Sequence, residues 1–233
     1  MLPVAILAGG LATRLRPITE KIPKALVEVA GKPFVFHQLA WLKRQKVDHV
    51  VLCVGYLGEM IREQVGFGER WGMKIQYSLD GEKLLGTGGA LKKALNLLGK
   101  EFFVFYGDSF LPIDFLPVQD AFRAIGRPAL MTFLRNQGRW DRSNVEASDG
   151  RLIAYNKREP TPAMEHIDYG LGVFSAGALE GRGGDEPFDL AELYQELAEK
   201  GDLAGHEVVN RFYEIGSKEG LAETEKFLSS QIL

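Results

Sequence analysis

The residues that first suggest chemistry follow the apolar run "PVAIL": a glycine pair and, in the same segment, two cations. Gly9 and Gly10 let the backbone approach a ligand closely and present main-chain N–H groups to phosphate oxygens. Arg14 and Lys24 can neutralise the charge of those oxygens. A charge pair at about 4 Å contributes about 1 kcal/mol in water and about 4 kcal/mol at an effective dielectric of about 20, so the cations must lie in a cleft. The segment predicts a loop that holds a polyphosphate.

Two other phosphate-binding motifs do not fit this segment. A P-loop requires Gly-Lys-Ser/Thr, and a dinucleotide-binding fold requires G-x-G-x-x-G at the start of a helix. The run "GGLATR" contains neither pattern. Pro17 and Pro23 also disfavour a regular helix here. The segment is therefore predicted to be an ordered loop of another kind.

The longer run "LAGGLATRLRPITEKIPKAL" resembles the signature of the sugar-1-phosphate nucleotidylyltransferases. The shared features are the glycine pair, Thr-Arg-Leu, a proline and a threonine, and Pro-Lys. The resemblance implies that Arg14 and Lys24 are catalytic and grip the triphosphate and the departing pyrophosphate. A surface cation is the alternative for either residue taken alone. The loop residues then expected at the nucleotide are Leu7, Ala8, Gly9, Gly10 and Thr13.

Two carboxylates are the candidate magnesium ligands. Asp108 follows the apolar run "FFVFYG", at the point where the family has a Gly-Asp pair whose aspartate is catalytic and holds Mg²⁺. A cap or turn is the commoner role for an aspartate in such a loop. The family's second metal carboxylate belongs near the C-terminus, where "FYEIGS" has Glu214 in place of the usual aspartate. Mg²⁺ accepts oxygen ligands from either side chain. The resemblance therefore implies Mg²⁺ as the cofactor.

The loop "YSLDGEKLLGTGGA" resembles the base-reading segment of the family. Leu85, Gly86 and Thr87 are expected at the nucleotide, with Leu85 and Gly86 against the base. A carboxylate can accept hydrogen bonds from the adjacent N1 and N2 donors of guanine, so Asp80 and Glu82 favour GTP. The alternative, that both acids are merely solvated, is equally open at this point.

Two later stretches resemble the sugar-binding segments of the family. "AYNKRE" has Asn-Lys where the family has Glu-Lys, and "IDYGLG" has an aspartate where the family has an asparagine. The lysine would bind the sugar phosphate, and the aspartate would accept hydrogen bonds from sugar hydroxyls. The two replacements leave the identity of the sugar open. The residues expected at the sugar phosphate are Asn144, Asn156, Lys157, Asp168, Tyr169 and Gly170. For Tyr169 and Asn144, core packing or a turn is the alternative.

The elements that must position these residues alternate in type over the first half of the chain. Short apolar runs such as "DHVVLCV" and "EFFVFYG" predict strands, and amphipathic segments such as "PFVFHQLAWLKRQK" predict helices. This alternation predicts a doubly wound, mostly parallel (mixed) sheet of the Rossmann-like α/β class, with ligands beyond the carboxyl ends of the strands. After about residue 135 the strands follow one another, which predicts a β-rich sugar-binding part. We expect one domain over residues 1–233, with 1–135 binding the nucleotide and 136–233 the sugar.

Composition limits the remaining classes of function. A net charge of −3 disfavours general nucleic-acid binding, and no apolar run approaches the length of a membrane span. The single cysteine, Cys53, allows no intramolecular disulfide, and no secretion signal is expected ahead of the glycine pair, so we predict a cytoplasmic protein. The expected partners are an NTP, with GTP favoured, and a sugar 1-phosphate. A homodimer is one option for the oligomeric state.

The resemblance implies transfer of a nucleoside monophosphate from an NTP to a sugar 1-phosphate, giving an NDP-sugar and pyrophosphate, for cell-surface polysaccharide precursors. The compact chain is most similar to the heptose-1-phosphate guanylyltransferases and next to the N-acetylmuramate-1-phosphate uridylyltransferases. Guanine with heptose or mannose is favoured. Uridylyl or thymidylyl transfer to glucose or N-acetylmuramate 1-phosphate stays open. So do transfer to another phosphate acceptor, such as phosphocholine, and a non-catalytic regulator on the same fold.

Overall fold

The computed structural model describes residues 1–182 and 186–231. The strands are β1 Val4–Leu7, β2 Glu28–Val29, β3 Lys32–Pro33, β4 His49–Val54, β5 Lys74–Leu79, β6 Glu101–Tyr106, β7 Ser109–Phe110, β8 Ala129–Arg135, β9 Val145–Ser148, β10 Arg151–Tyr155, β11 His166–Ser175, β12 Leu203–Val208 and β13 Tyr213–Glu214. The helices are α1 Phe34–Arg44, α2 Gly58–Val65, α3 Gly86–Lys93, α4 Leu95–Leu98, α5 Phe115–Ile125, α6 Gly177–Glu180, α7 Leu190–Glu199 and α8 Lys218–Ser230. Short 3₁₀ turns lie at Thr13–Leu15, Ile18–Glu20, Lys24–Leu26 and Glu69–Trp71.

Within the described residues, nine strands form one mixed sheet. Its centre is the parallel set β6-β1-β4-β5, in which β1 pairs with both β4 and β6. The antiparallel strand β11 joins this set at β6, then pairs with β8, which in turn pairs with β12. The hairpin β9-β10 is attached to β11 through one residue pair. The predicted α/β class with a mostly parallel, mixed sheet is confirmed.

Helices cover both faces of this sheet, as the alternating pattern predicts. On β1, Val4 and Ile6 pack into one apolar cluster and Ala5 into the other. The first cluster includes residues of α1, α2 and α5, and the second includes residues of α3 and α7. Full burial of a large apolar side chain stabilises the fold by about 1.5–3 kcal/mol, so the parallel strands are continuously apolar where both faces are covered. Cys53 lies fully buried on β4.

A small two-stranded sheet brings the C-terminal part of the chain to the end of β6. Strand β13 pairs with β7, and the Ile215 N–H donates to the Asp108 carbonyl at 2.9 Å. Helix α8 begins after Ser217, whose hydroxyl accepts from the Gly220 N–H at 2.9 Å. The stacked rings of Tyr213 and Phe227, with centroids 3.9 Å apart, hold this helix against β13. In the ranges described, no helix has the length and apolar character that crossing a membrane requires.

Candidate active site

The glycine loop lies at the carboxyl end of β1. The Ala8 N–H donates to the Cys53 carbonyl at 2.8 Å, which holds the loop against the neighbouring end of β4. A Cβ atom placed on Gly9 would lie 3.1 Å from the Gly55 nitrogen, so close packing favours glycine there. A Cβ atom on Gly10 would meet no heavy atom within 4 Å. The fold therefore does not require glycine at position 10, and the space beside it is open to a ligand.

This loop forms one wall of a cavity of about 230 Å³. The ends of β1, β5 and β6 and the start of α3 all contribute to it, as expected for the carboxyl edge of a parallel sheet. The lining residues are Leu7, Ala8, Gly9, Gly10, Lys24, Ala25, Cys53, Asp80, Leu84, Gly86, Thr87, Ala90, Tyr106, Gly107 and Asp108. We call this the nucleotide cavity.

Lys24 and Asp108 form an ion pair on the wall of the nucleotide cavity. Their Nζ and Oδ2 atoms are 2.8 Å apart, and the side chains are only 19% and 31% exposed. The Ser109 hydroxyl donates to the other oxygen of Asp108 at 3.3 Å. The ion pair thus holds the Lys24 ammonium at the end of β6. A phosphate group bound there would lie next to both the lysine and the carboxylate.

Arg14 and Glu214 converge on the same place from two other segments. A Cβ atom placed on Gly216 would lie 2.5 Å from Glu214 Oε2, 3.0 Å from Arg14 Nη2 and 3.5 Å from Asp108 Oδ2. The absence of a side chain at Gly216 therefore leaves these three charged groups around one small space. In the described part of the chain, the Arg14 side chain has no hydrogen bond or ion pair with another residue.

Asp108 and Glu214 supply the kind of oxygen ligands that Mg²⁺ prefers. Glu214 also stabilises the start of α8, because its carboxylate accepts from the Gly216 N–H and from the Ser217 hydroxyl. Among the described residues there is no group of three or more His, Cys, Asp or Glu side chains that could hold a metal. Two carboxylates are a ligand set that could hold Mg²⁺, because proteins commonly bind this ion through one or two carboxylates together with substrate phosphates.

A second, larger cavity of about 830 Å³ lies on the other side of Asp108. It shares Tyr106 and Asp108 with the nucleotide cavity, so the two spaces meet at the end of β6. Its lining residues are Arg14, Tyr106, Asp108, Ser109, Arg139, Trp140, Asp141, Arg142, Asn144, Tyr155, Lys157, Ile167, Asp168, Arg211, Phe212, Glu214, Ser217, Glu219, Gly220 and Glu223. We call this the acceptor cavity.

Asp168 is a partly buried carboxylate in the acceptor cavity. Its Oδ1 accepts from the Gly170 N–H at 2.9 Å and its Oδ2 from the Tyr106 hydroxyl at 3.4 Å. Asn144 orients the same residue, because its Oδ1 accepts from the Asp168 N–H at 2.9 Å. Burial raises the pKa of Asp168 to about 6, although the Gly170 N–H, the Lys157 ammonium and the Tyr106 hydroxyl oppose the shift. Near neutral pH this carboxylate is a hydrogen-bond acceptor aimed at the cavity.

Comparison with known proteins shows to which family this chain belongs. A family model described as "Nucleotidyl transferase" matches residues 4–142, which is more than half of the chain. The chain belongs to the nucleotidyl transferase family. The matched residues include the glycine loop and the Lys24–Asp108 pair, so the family resemblance read from the sequence is confirmed.

Relatives of this nucleotidyl transferase include two guanylyltransferases. It is 31% identical over 196 residues to the D-glycero-alpha-D-manno-heptose 1-phosphate guanylyltransferase of Campylobacter jejuni, covering 84% of this chain and 86% of that protein. It is 32% identical over 218 residues to the mannose-1-phosphate guanylyltransferase catalytic subunit beta of Danio rerio, covering 91% of this chain. This nucleotidyl transferase spans only 60% of the length of that second relative.

A solved structure shows the same fold. The crystal structure of HddC from Yersinia pseudotuberculosis complexed with GMP-PN matches with a TM-score of 0.78 and 23% identity, covering 98% of this chain and 100% of that one. The agreement extends over nearly the whole of both chains.

Most of the residues that the sequence predicts at the substrates or the metal line one of the two cavities. The nucleotide cavity is lined by Leu7, Ala8, Gly9, Gly10, Lys24, Asp80, Gly86, Thr87 and Asp108. The acceptor cavity is lined by Arg14, Asp108, Asn144, Lys157, Asp168 and Glu214. Their individual roles toward substrate stay predictions.

Three residues predicted at the nucleotide line neither cavity. Thr13 and Glu82 are exposed outside the lining, and the Leu85 side chain is buried at 6% exposure. Leu84, one residue earlier, is the leucine that faces the nucleotide cavity. The reason is that the Leu85 carbonyl accepts a hydrogen bond from the Phe188 N–H at 3.1 Å, which turns this part of the loop toward the protein.

Three residues predicted at the sugar also lie outside the acceptor lining. Asn156 uses its Oδ1 to accept from the backbone of Arg158 and Glu159, at 3.0 and 2.8 Å, and so stabilises its own turn. Tyr169 is a core residue with 1% exposure. Gly170 has a φ of 94° beside the Tyr106 ring, at an irregularity in the β11–β8 pairing.

Sequence reasoning missed Tyr106 and the segment after β8. Tyr106 ends β6 directly before the Gly-Asp pair, and that position at the carboxyl end of a parallel strand was the available signal. Asn136 is buried and holds the segment together: its side chain donates to the Asp141 carbonyl at 2.7 Å and accepts from the Trp140 N–H at 3.1 Å. This arrangement places Arg139, Trp140, Asp141 and Arg142 on the acceptor cavity.

Proposed function

We propose that this nucleotidyl transferase moves a nucleoside monophosphate from an NTP to a sugar 1-phosphate, releasing pyrophosphate and an NDP-sugar. The observation that carries the proposal is that two cavities meet at Asp108, with the glycine loop and Lys24 in one and Lys157 and Asp168 in the other. A two-substrate transfer requires this arrangement, because both reactants must be held with their phosphates adjacent.

The chain's own residues can align and neutralise the reacting phosphates. An oxygen of the sugar 1-phosphate attacks the α-phosphorus, the bond from that phosphorus to the bridging oxygen breaks, and pyrophosphate leaves with the electron pair. No general base is needed, since the second pKa of a phosphate monoester is about 6. Arg14 and Lys24 stabilise the charge that develops on the pyrophosphate, and Lys157 holds the attacking phosphate. Removing one such electrostatic contact typically costs about 10²–10³-fold in rate.

We also propose Mg²⁺ as the cofactor, with Asp108 and Glu214 as its protein ligands. The support is the convergence of the two carboxylates around Gly216, next to the Arg14 guanidinium. When bound there, Mg²⁺ would neutralise phosphate oxygens and help orient them. Lys24, which is paired with Asp108 at 2.8 Å, would then share that carboxylate with the ion.

We propose GTP as the nucleotide and a heptose or mannose 1-phosphate as the acceptor. The two relatives support this assignment, since they are guanylyltransferases for those two sugar phosphates. Of the two acids predicted at the base, Asp80 lines the nucleotide cavity and Glu82 does not. The Oδ2 atom of Asp80 accepts from the Leu85 N–H at 3.2 Å, which holds the side chain against the predicted base-reading segment, residues 77–90, which we call the base loop. Burial raises the pKa of Asp80. Guanine has two adjacent N–H donors, at N1 and N2, and a carboxylate can accept hydrogen bonds from both.

The test is a matrix of the four common NTPs against a panel of acceptors, with Mg²⁺, scored by pyrophosphate release. The panel contains the 1-phosphates of mannose, D-glycero-D-manno-heptose, glucose and N-acetylmuramate, together with phosphocholine. We expect release with GTP and mannose or heptose 1-phosphate. Release only with UTP or dTTP (included as a fifth nucleotide) would replace guanine in the proposal. Absence of release with every pair would reject transfer.

The same assay tests the placement of the catalytic centre. We expect Asp108→Asn to lower kcat/KM by at least about 10²-fold, because it removes the carboxylate shared by the two cavities. Asp114→Asn is the matched control, since Asp114 lies a short way along the same segment and lines neither cavity. Equal activity of the Asp108 variant and the control would contradict the proposal.

A further inference from the structure

The segment before α7 lies across the base loop of the nucleotide cavity. The Phe188 N–H donates to the Leu85 carbonyl at 3.1 Å, and the Gly88 N–H donates to the Phe188 carbonyl at 3.0 Å. A Cβ atom on Gly88 would lie 2.1 Å from the Phe188 ring, and one on Gly86 would lie 2.5 Å from the Phe188 carbonyl oxygen. The Gly-Thr-Gly-Gly sequence of the base loop therefore accommodates this segment by close backbone approach.

Asp189, the next residue, makes contacts toward both cavities. Its Oδ1 accepts from the Thr87 hydroxyl and from the Ala191 N–H, each at 3.0 Å. The Thr87 hydroxyl in turn accepts from the Leu190 N–H at 2.8 Å. The Oδ2 atom of Asp189 lies 3.5 Å from Lys157 Nζ. Thr87 lines the nucleotide cavity and Lys157 lines the acceptor cavity.

We propose that Asp189 is a positioning residue that orients the Lys157 ammonium toward the acceptor phosphate and ties it to the base loop through Thr87. The inference rests on the proposed function, in which Lys157 binds the sugar phosphate. It gives a role to a carboxylate that lies outside the lining of both cavities and that the family resemblance did not single out.

A positioning residue is useful here because the lysine side chain has many accessible conformations. Lys157 carries its charge on a flexible four-carbon stem, and its side chain is 55% exposed, so without a partner the ammonium would occupy many positions. An ammonium has three donors, and one contact with Asp189 leaves the others for a phosphate. Holding the group in place lowers the entropic cost of binding the acceptor.

The protonation state of Asp189 suits this role. Burial alone would raise its pKa, but the Ala191 N–H, the Lys157 ammonium and the Thr87 hydroxyl together hold its pKa below the ordinary value. The residue is therefore a charged carboxylate at neutral pH, and its negative charge attracts the ammonium. Its Oδ1 stays occupied by Thr87 and the start of α7, so the group cannot turn freely away from Lys157.

The deciding variant is Asp189→Asn. An asparagine can keep an oxygen acceptor for Thr87 and for the Ala191 N–H, but it has no charge to hold Lys157. We expect KM for the sugar 1-phosphate to rise about tenfold, equivalent to about 1.4 kcal/mol of binding free energy, while KM for the NTP changes less than about twofold. Glu192→Gln is the matched control, because Glu192 lies in the first turn of the helix that Asp189 caps and pairs with Arg158 and Arg182 rather than with Lys157; its constants should match those of the wild type.

A second comparison separates positioning from simple helix capping. We expect Asp189→Asn to have no further effect on acceptor KM in a Lys157→Met background, because the two residues act through one ammonium. Wild-type acceptor KM in Asp189→Asn, or equal rises in both KM values with a lowered Tm, would overturn the inference and leave the proposed transfer standing. A wild-type protein without transfer activity would overturn both.

Discussion

At the scale of single residues, the site combines side chains that serve the fold with others that the fold does not need. Gly9, Glu214 and Asn156 all have protein contacts that explain their residue types. Gly10 and Arg14 differ, because the first would tolerate a Cβ atom and the second has no side-chain partner among the described residues. A residue type that packing does not explain is a better indicator of ligand binding than one that packing requires.

Gly10→Ala tests this distinction. A Cβ atom there meets no protein atom within 4 Å, so we expect an unchanged Tm. The methyl group would enter the open space in which we propose that the phosphates bind, and we expect KM for the NTP to rise about tenfold or more. Thermal unfolding and pyrophosphate-release kinetics measure the two effects. An unchanged KM would show that the nucleotide does not approach this glycine.

Asp168 predicts a dependence of stability on pH. Its folded-state pKa of about 6 lies above the ordinary aspartate value of 3.8, so between these pH values the folded protein retains a proton that the unfolded chain has lost. This residue therefore makes the free energy of unfolding fall as the pH rises from about 4 to about 6. Urea unfolding across that range should show this fall in the wild type and a smaller one in Asp168→Asn. Parallel curves for the two proteins would contradict the raised pKa.

At the scale of elements, short segments far apart in sequence determine the site. The pairing of β13 with β7 brings Glu214 to Asp108, and the segment before α7 holds the base loop at the start of α3. The three 3₁₀ turns between β1 and β2 carry Lys24 back to the end of β6. The first two of these contacts depend on backbone hydrogen bonds or close backbone approach, so glycine positions are the sensitive ones there.

Gly88→Ala tests the close approach of Phe188. The added Cβ atom would lie 2.1 Å from the Phe188 ring, so the segment before α7 must move away from the base loop. We expect a loss of about 1–3 kcal/mol in the free energy of unfolding, as is usual for overpacking, together with a raised KM for the NTP. Gly177→Ala is the control, since a Cβ atom there meets no atom within 4 Å. A Gly88 variant as stable as this control would show that the contact is not tight.

At the scale of the whole molecule, the proposed nucleotide and sugar halves share one sheet. Strand β11 of the second half pairs with β6 and β8 of the first half, and β12 pairs with β8. The division at residue 135 describes which substrate each half is predicted to bind. Separate folding of the two halves is not expected, because either half alone would expose apolar strands of the common sheet.

Unfolding should therefore be a single cooperative transition. Tryptophans report on both halves, with Trp71 in the first and Trp140 in the second. In variants that retain Trp71 or Trp140 as the only one of the three tryptophans, we expect the urea midpoint from fluorescence to coincide with the midpoint from far-UV circular dichroism. Two separated midpoints would indicate two independently folding units.

The cytoplasmic location and a homodimer stay predictions.

Much of the fold and of the nucleotide cavity was predictable from local signals. The apolar strand followed by the glycine pair, and Asp108 directly after β6, both follow from patterns within about twenty residues. Leu85 was predicted in place of Leu84, because which of two adjacent leucines faces a cavity depends on the hydrogen bond from Phe188, about a hundred residues later. Tyr169 was predicted at the sugar, whereas the irregular pairing of β11 with β8 directs it into the core.

The α/β class, the glycine loop with its cations, and the family all follow from the amino-acid sequence alone, because strand and helix periodicity and a continuous motif are local properties of the chain. The pairing of Lys24 with Asp108 across 84 residues, and of Thr87 with Asp189 across 102, depends on the three-dimensional fold. Such contacts follow from strand order and from how the connecting segments cross the sheet edge. Those features are set by the packing of all the elements together, and no local pattern encodes them.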